Sequence, residues 1–124
     1  MANTSKYSQH FITVKVDLRR KQLVCDPEVQ DIKPNTISTI TWKPGGRTKF
    51  LFLTFQWCEN NGFLAQDPIV HDQCVVAVVN NTASIAKKDW PYRLKVQVGN
   101  CVYEADSKLL SADGADGIPK IHTQ

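Results

Sequence analysis

Three histidines, four cysteines and a scatter of carboxylates are the groups in this chain that could hold a metal, attack an electrophile or move a proton. A blue-copper centre needs two imidazoles and a thiolate, usually with a weak axial methionine. Here the one methionine is Met1, His10 precedes the first patterned strand, His122 falls in the last few residues, and His71 lacks a Cys-x-His or His-x-x-Met partner. Structural zinc favours Cys-x-x-Cys pairs, because a short loop then presents two thiolates to one tetrahedral ion. Cys25, Cys58, Cys74 and Cys101 are separated by 33, 16 and 27 residues, so no pair is preset, and His71 with Cys74 supplies two ligands at most. No metal or other cofactor is expected.

Nucleophilic catalysis asks for a Cys or Ser beside a His base that a third group orients. Neither a Gly-x-Ser-x-Gly elbow, a Gly-rich phosphate loop nor a His-Glu-x-x-His helix occurs. The carboxylates Glu59, Asp67, Asp72, Glu104 and Asp106 have nothing in the sequence to set the separation that glycoside chemistry requires. The expectation is therefore a non-enzymatic protein.

Binding is better supplied. The run from Trp57 through Glu59, Asn60 and Asn61 to Gly62, and the Trp90-Pro-Tyr92 segment, each set an aromatic ring beside polar groups, the mixture that sugar and peptide sites use. Basic residues recur as Arg19-Arg20-Lys21, Arg47 with Lys49, Lys87-Lys88, and Arg93 with Lys95. Lys87, Lys88 and Arg93 are the candidates for an anionic or phosphate-bearing ligand, and Trp57, Glu59, Asn60, Asn61 and Trp90 for a carbohydrate. The segment with Phe50, Phe52, Leu53 and Phe55 is apolar on both strand faces, which suits either a doubly covered strand or an interface. The leading expectation is a binding or assembly module that engages a protein partner or itself through loops or an exposed sheet edge. A small-ligand binder is the alternative, followed by a metal- or thiol-dependent protein.

The elements that must carry these residues are strands. Residues 11–17 alternate, with Ile12, Val14 and Val16 on one face and Thr13 and Lys15 on the other. Residues 22–30 resume extended chain, and Pro27 makes that stretch an edge or bulged strand. Residues 36–43 are β-branched and end at Pro44-Gly45-Gly46, a strong turn signal. Further strands are expected at 49–57 and 73–79. Residues 92–98 and 101–105 flank Gly99-Asn100, a favoured two-residue hairpin loop. A single helical turn is expected within 83–88. About seven short strands without alternating helices predict an all-β antiparallel sandwich with Greek-key connections, immunoglobulin-like or cupredoxin-like. The expected division is a flexible segment over 1–10, a β-sandwich domain over 11–110 and a loose tail over 111–124.

A chain of 124 residues with 42% apolar and 22% charged residues fits one self-sufficient domain. Its formal charge of +3 is too small to favour nucleic acid as a partner. No stretch approaches the roughly 18 apolar residues of a membrane span, and the polar first ten residues lack the apolar core of a signal peptide. A cytoplasmic setting with reduced, mostly buried thiols is expected, and no membrane contact.

The succession Ile12-Thr-Val-Lys-Val, Leu23-Val-Cys-Asp-Pro-Glu-Val, a strand closing on Ile40-Thr-Trp42, and Tyr92-Arg-Leu-Lys-Val-Gln-Val with Tyr103-Glu-Ala-Asp resembles a group of small bacterial proteins. These are cytoplasmic-looking sandwiches of similar length, described as cupredoxin-like or immunoglobulin-like. The resemblance spans roughly residues 11–110 and implies a fold, with no activity attached to it.

Overall fold

In a computed structural model of the chain, residues 6–27, 29–33, 36–57, 68–81, 88–105 and 120–123 are described. Every regular element among them is a β-strand: β1 Lys6–Asp17, β2 Gln22–Asp26, β3 Val29–Ile32, β4 Thr36–Pro44, β5 Leu51–Trp57, β6 Ile69–His71, β7 Cys74–Asn81, β8 Lys88–Val98, β9 Cys101–Ala105 and β10 Lys120–Thr123. One sheet runs β2-β1-β4-β7-β6, and the other runs β3-β10-β8-β5 with β9 also paired to β8. Most neighbours are antiparallel, but β1 lies parallel to β4 and β10 parallel to β3.

Strict alternation decides which side chains are buried. Ile12 and Val14 of β1, Ile40 and Trp42 of β4, and Val75, Ala77 and Val79 of β7 face one core, which Tyr92, Leu94 and Val96 of β8 share from the other sheet. Burial of a side chain of this size contributes roughly 1.5–3 kcal/mol, so these two faces supply most of the cohesion.

β5 departs from simple alternation, and the reason is local. Its pairing with β8 slips between Phe52 and Thr54, leaving Leu53 as an extra residue. A bulge of this kind inverts the facing of everything beyond it. Phe50 and Phe52 therefore point inward before the bulge, and Phe55 and Trp57 point inward after it. The strand that reads as apolar on both faces is one aromatic face interrupted by Leu53.

Three segments differ from their sequence reading. The stretch expected as one edge strand over 22–30 is split at a cis Asp26–Pro27 bond into β2 and β3, which are edges of different sheets. Proline offers no N–H to a ladder, so the chain leaves one sheet there and joins the other. β1 begins at Lys6, inside the segment expected to be flexible. Lys120–Thr123 of the expected tail is β10, with Ile121 fully buried between β3 and β8. A four-residue strand carries too few alternations to stand out in sequence. These short pieces bring the described strands to ten, against about seven expected. The helical turn expected over 83–88 falls outside the described residues except for Lys88, which opens β8. No described helix is long and apolar enough to cross a membrane.

Candidate functional site

Of the residues singled out for a sugar-like site, Glu59, Asn60 and Asn61 lie outside the described residues, as does Lys87. Trp57 is described and lies in the core, at 8% exposure. Its ring meets Trp42, Phe55 and Tyr92 at centroid distances of 6.4, 5.2 and 6.0 Å, while Phe55 stacks on Tyr92 at 5.1 Å. Edge-to-face and offset stacks of this kind bind aromatic residues to one another, so Trp57 has no open face to offer a sugar. Lys88 and Trp90 sit on the first half of β8, and Arg93 is half-buried on its second half.

The expected interface also resolves differently. Phe50 and Phe52 are buried and Phe55 is half-buried, whereas Leu53 is exposed because the bulge turns it out. That leaves Leu53 as the one member of the set with substantial exposure. The second sheet also exposes Leu51 and Val102, but a larger row of apolar residues lies on the outer face of the first sheet, opposite the core.

On that face β1 presents Tyr7, at 81% exposure, and Phe11, at 52%. Cross-strand register places Phe11 beside Thr41 of β4, Thr41 beside Val76 of β7, and Val76 beside Ile69 of β6, a row crossing four strands. Gln9, Thr39 and Val78 form the next row, and Tyr7, Ile37 and Asn80 the one after. At its border Lys43 places Nζ 5.1 Å from the centre of the Phe11 ring, within the reach of a cation–π contact. A sequence signal exists in retrospect: Tyr7 and Phe11 have the parity opposite to Ile12 and Val14, and Val75, Val76, Val78 and Val79 are apolar at both parities.

Polar groups gather on the inner face near the start of β1. Gln30 Nε2 donates to the Asp31 carbonyl at 3.1 Å, which identifies it as the amide nitrogen. It is therefore also the donor toward His10 Nδ1 at 3.2 Å, and the imidazole proton belongs on Nε2, which donates to Ser8 Oγ at 3.2 Å. Ser8 Oγ and Ser38 Oγ share a hydrogen bond at 2.7 Å, and Thr36 Oγ1, 3.5 Å from Ser38 Oγ, donates to the Lys33 carbonyl at 2.7 Å. Burial pushes the His10 pKa below its ordinary value of 6.5. Because Nε2 donates to Ser8, the ring is not placed to accept the Ser8 proton; the chain satisfies buried hydroxyls such as that of Ser38.

His71 and Cys74 stand directly opposite each other in the β6–β7 hairpin. No group of three or more His, Cys, Asp or Glu side chains that could hold a metal ion occurs among the described residues. Cys25 is buried as expected of a structural cysteine, but Cys74 is half-buried and Cys101 exposed. Cys58 falls outside the described residues.

No protein-family model matches the chain, and no curated protein matches it as a relative.

Proposed function

We propose that this chain is a non-enzymatic assembly module that pairs with a second copy of itself through the outer face of its first sheet, within the cytoplasm. The observation that carries the reading is the four-strand row Phe11, Thr41, Val76 and Ile69, flanked by Tyr7 and Ile37. A surface of aromatic and β-branched side chains, interrupted by the amides Gln9 and Asn80 and with the described cation Lys43 at its margin, has the composition of an interface core. With strands about 4.8 Å apart and a rise of about 3.3 Å per residue, the three rows project to roughly 320 Å². That is below the ~800 Å² per partner of a stable association, so the pairing expected is weak and concentration-dependent.

The fold reading that accompanies this is a sandwich of cupredoxin-like rather than immunoglobulin-like strand order. Its support is the pair of parallel contacts, β1 with β4 and β3 with β10, which two all-antiparallel sheets would lack. The strand that changes sheets at Pro27 fits the same order.

The test is light scattering and native mass spectrometry across about 5–500 μM chain. A dimer is expected in the tens of micromolar, and the double variant Y7K/F11K is expected to be monomeric with an unchanged fold. A chain that stays monomeric at every concentration overturns the self-association reading.

A further inference from the structure

The end of the molecule opposite β3 and β10 gathers four connections: the β1–β2 turn at residues 18–21, the β4–β5 connection at 45–50, the β6–β7 turn at 72–73 and the β8–β9 turn at 99–100. Between the last three lies a cleft of about 740 Å³, lined by Gly45, Gly46, Thr48, Lys49, Gln73 and Gln97 among others. A second hollow of about 420 Å³ adjoins it through Thr48 and is lined by Lys15 and Arg19.

Charge is distributed unevenly along the chain in a way the total conceals. Residues 15–21 and 44–51 hold Lys15, Arg19, Arg20, Lys21, Arg47 and Lys49. Among the described residues the carboxylates of this end are Asp17 and Asp72, giving a surplus of four positive charges, whereas the whole chain has a formal surplus of three. The rest of the molecule is thus slightly acidic, and the cationic field is concentrated at one end. Asp17 is engaged by the turn itself: Oδ1 accepts from the Arg19 and Arg20 backbone amides at 3.1 and 3.2 Å and Oδ2 lies 3.9 Å from Arg20 Nε, so it offsets Arg20 in particular.

The connection that carries Arg47 and Lys49 is firmly based. Gly45 N donates to the Val14 carbonyl at 2.8 Å, and a Cβ at Gly45 would collide with Thr13 Cγ2. Gly46 takes φ +77°, a left-handed conformation that favours glycine. The Lys15 stem runs alongside both glycines. On the opposite wall the Gln97 amide is held by its donation to the Gly99 carbonyl at 2.9 Å.

We propose that this cleft and the adjoining hollow together bind a small ligand carrying two or more phosphate groups, with Lys49 lining the cleft and Lys15 and Arg19 lining the hollow on the far side of Thr48 supplying the countercharge. The volume of the cleft falls within the usual range of small-ligand pockets. Lysine and arginine donors suit phosphate oxygens, and the two adjoining hollows bring Lys49, Lys15 and Arg19 together with one carboxylate, Asp17. Nucleic acid is the weaker candidate, since single-strand recognition uses exposed aromatic rings as stacking platforms and the aromatic residue lining the cleft, Phe50, is buried.

The experiment is a titration of the full chain with sodium tripolyphosphate, followed by amide chemical shifts at about 50 mM NaCl. Saturable shifts are expected at residues 45–51, 72–73 and 97–100, with sub-millimolar affinity that falls at about 300 mM NaCl. K49Q and the double variant K15Q/R19Q should each weaken binding about tenfold, the scale of a lost charged hydrogen bond. K95Q, which removes one charge from the other sheet, should leave it within twofold. The same spectra report whether each variant is folded. Absence of saturation, shifts spread over both sheets, or an equal loss in K95Q overturns the site. Tighter binding of a mixed-sequence single-stranded oligonucleotide than of tripolyphosphate, with a footprint beyond the cleft, overturns the ligand class.

Discussion

The two outward faces of this protein follow the same alternation but present different surfaces. On the second sheet the central strand β8 shows Arg93, Lys95 and Gln97, with Lys95 directly opposite Glu104 of β9. Gln97 separates Leu51 from Val102, and Arg93 lies beside Gln56. Each row across that sheet has a charged or amide group at its middle. On the first sheet the middle positions are Thr39, Thr41, Ile37, Val76 and Val78, and aromatic rings stand at the β1 end of two rows. Cross-strand ion pairs contribute a few tenths of a kcal/mol to about 1 kcal/mol, and water satisfies such a face. A face of β-branched and aromatic residues gains instead from removal of its apolar area from water, which is why the proposed self-association is assigned to it.

The largest test of the inside–outside distinction lies within β5. Phe52→Ala should destabilise the chain by about 3–5 kcal/mol through lost burial and a residual cavity, while Leu53→Ala should stay within about 0.5 kcal/mol. Urea denaturation measures both, and comparable losses would mean that the bulge does not turn Leu53 outward. The next effect compares the outer faces directly. Y7K/F11K should weaken self-association by about a hundredfold, which is roughly 2.7 kcal/mol, without lowering the monomer's melting temperature. V102K places one such charge at a residue 57% exposed on the second sheet and should leave the proposed dimer intact. Equal effects would erase the distinction between the faces.

Much of this arrangement is legible in the sequence, and the parts that are not share a cause. The alternations of β1 and β8 and the Gly99-Asn100 turn report side-chain period and backbone freedom, which are local properties; Gly99 takes φ +59° as the first central residue of that turn. The aromatic face of β5 is hidden because a bulge depends on the partner strand and inverts parity midway. β10 is hidden because its burial arises from two strands distant in sequence, β3 and β8. The outer face is hidden because its contributors come from four strands and meet only through register. Trp57 reads as a binding residue because an aromatic beside polar residues looks alike in a loop and at the buried end of a strand.

Smaller changes sharpen the comparison from within the first sheet. Lys21 closes the β1–β2 turn at φ 54°, a left-handed conformation that costs a non-glycine residue energy. Lys21→Gly should stabilise the chain by about 0.5–1 kcal/mol, read from the urea midpoint at constant slope. The balance is relief of the left-handed conformation against the greater unfolded-state freedom of glycine. No change, or a loss, would mean that the second term dominates.

The last distinction is electrical and belongs to the first sheet's inner face, where His10 joins Gln30 to Ser8. Burial lowers its pKa in the folded chain from the ordinary 6.5, so as pH falls the unfolded chain takes up this proton first. The neutral ring's contribution is thus fully present above about pH 6.5, declines as pH drops from there toward the folded pKa, and changes no further below it. Protonation would also set Nδ1–H against the Gln30 amide hydrogens, donor facing donor, and the Gln30 amide cannot turn over without abandoning the Asp31 carbonyl. His10→Gln removes the titrating group. Urea midpoints measured at pH 7.5, 6.5, 5.5 and 5.0 should therefore fall less steeply in H10Q than in the native chain, and parallel declines would place the acid sensitivity on other groups.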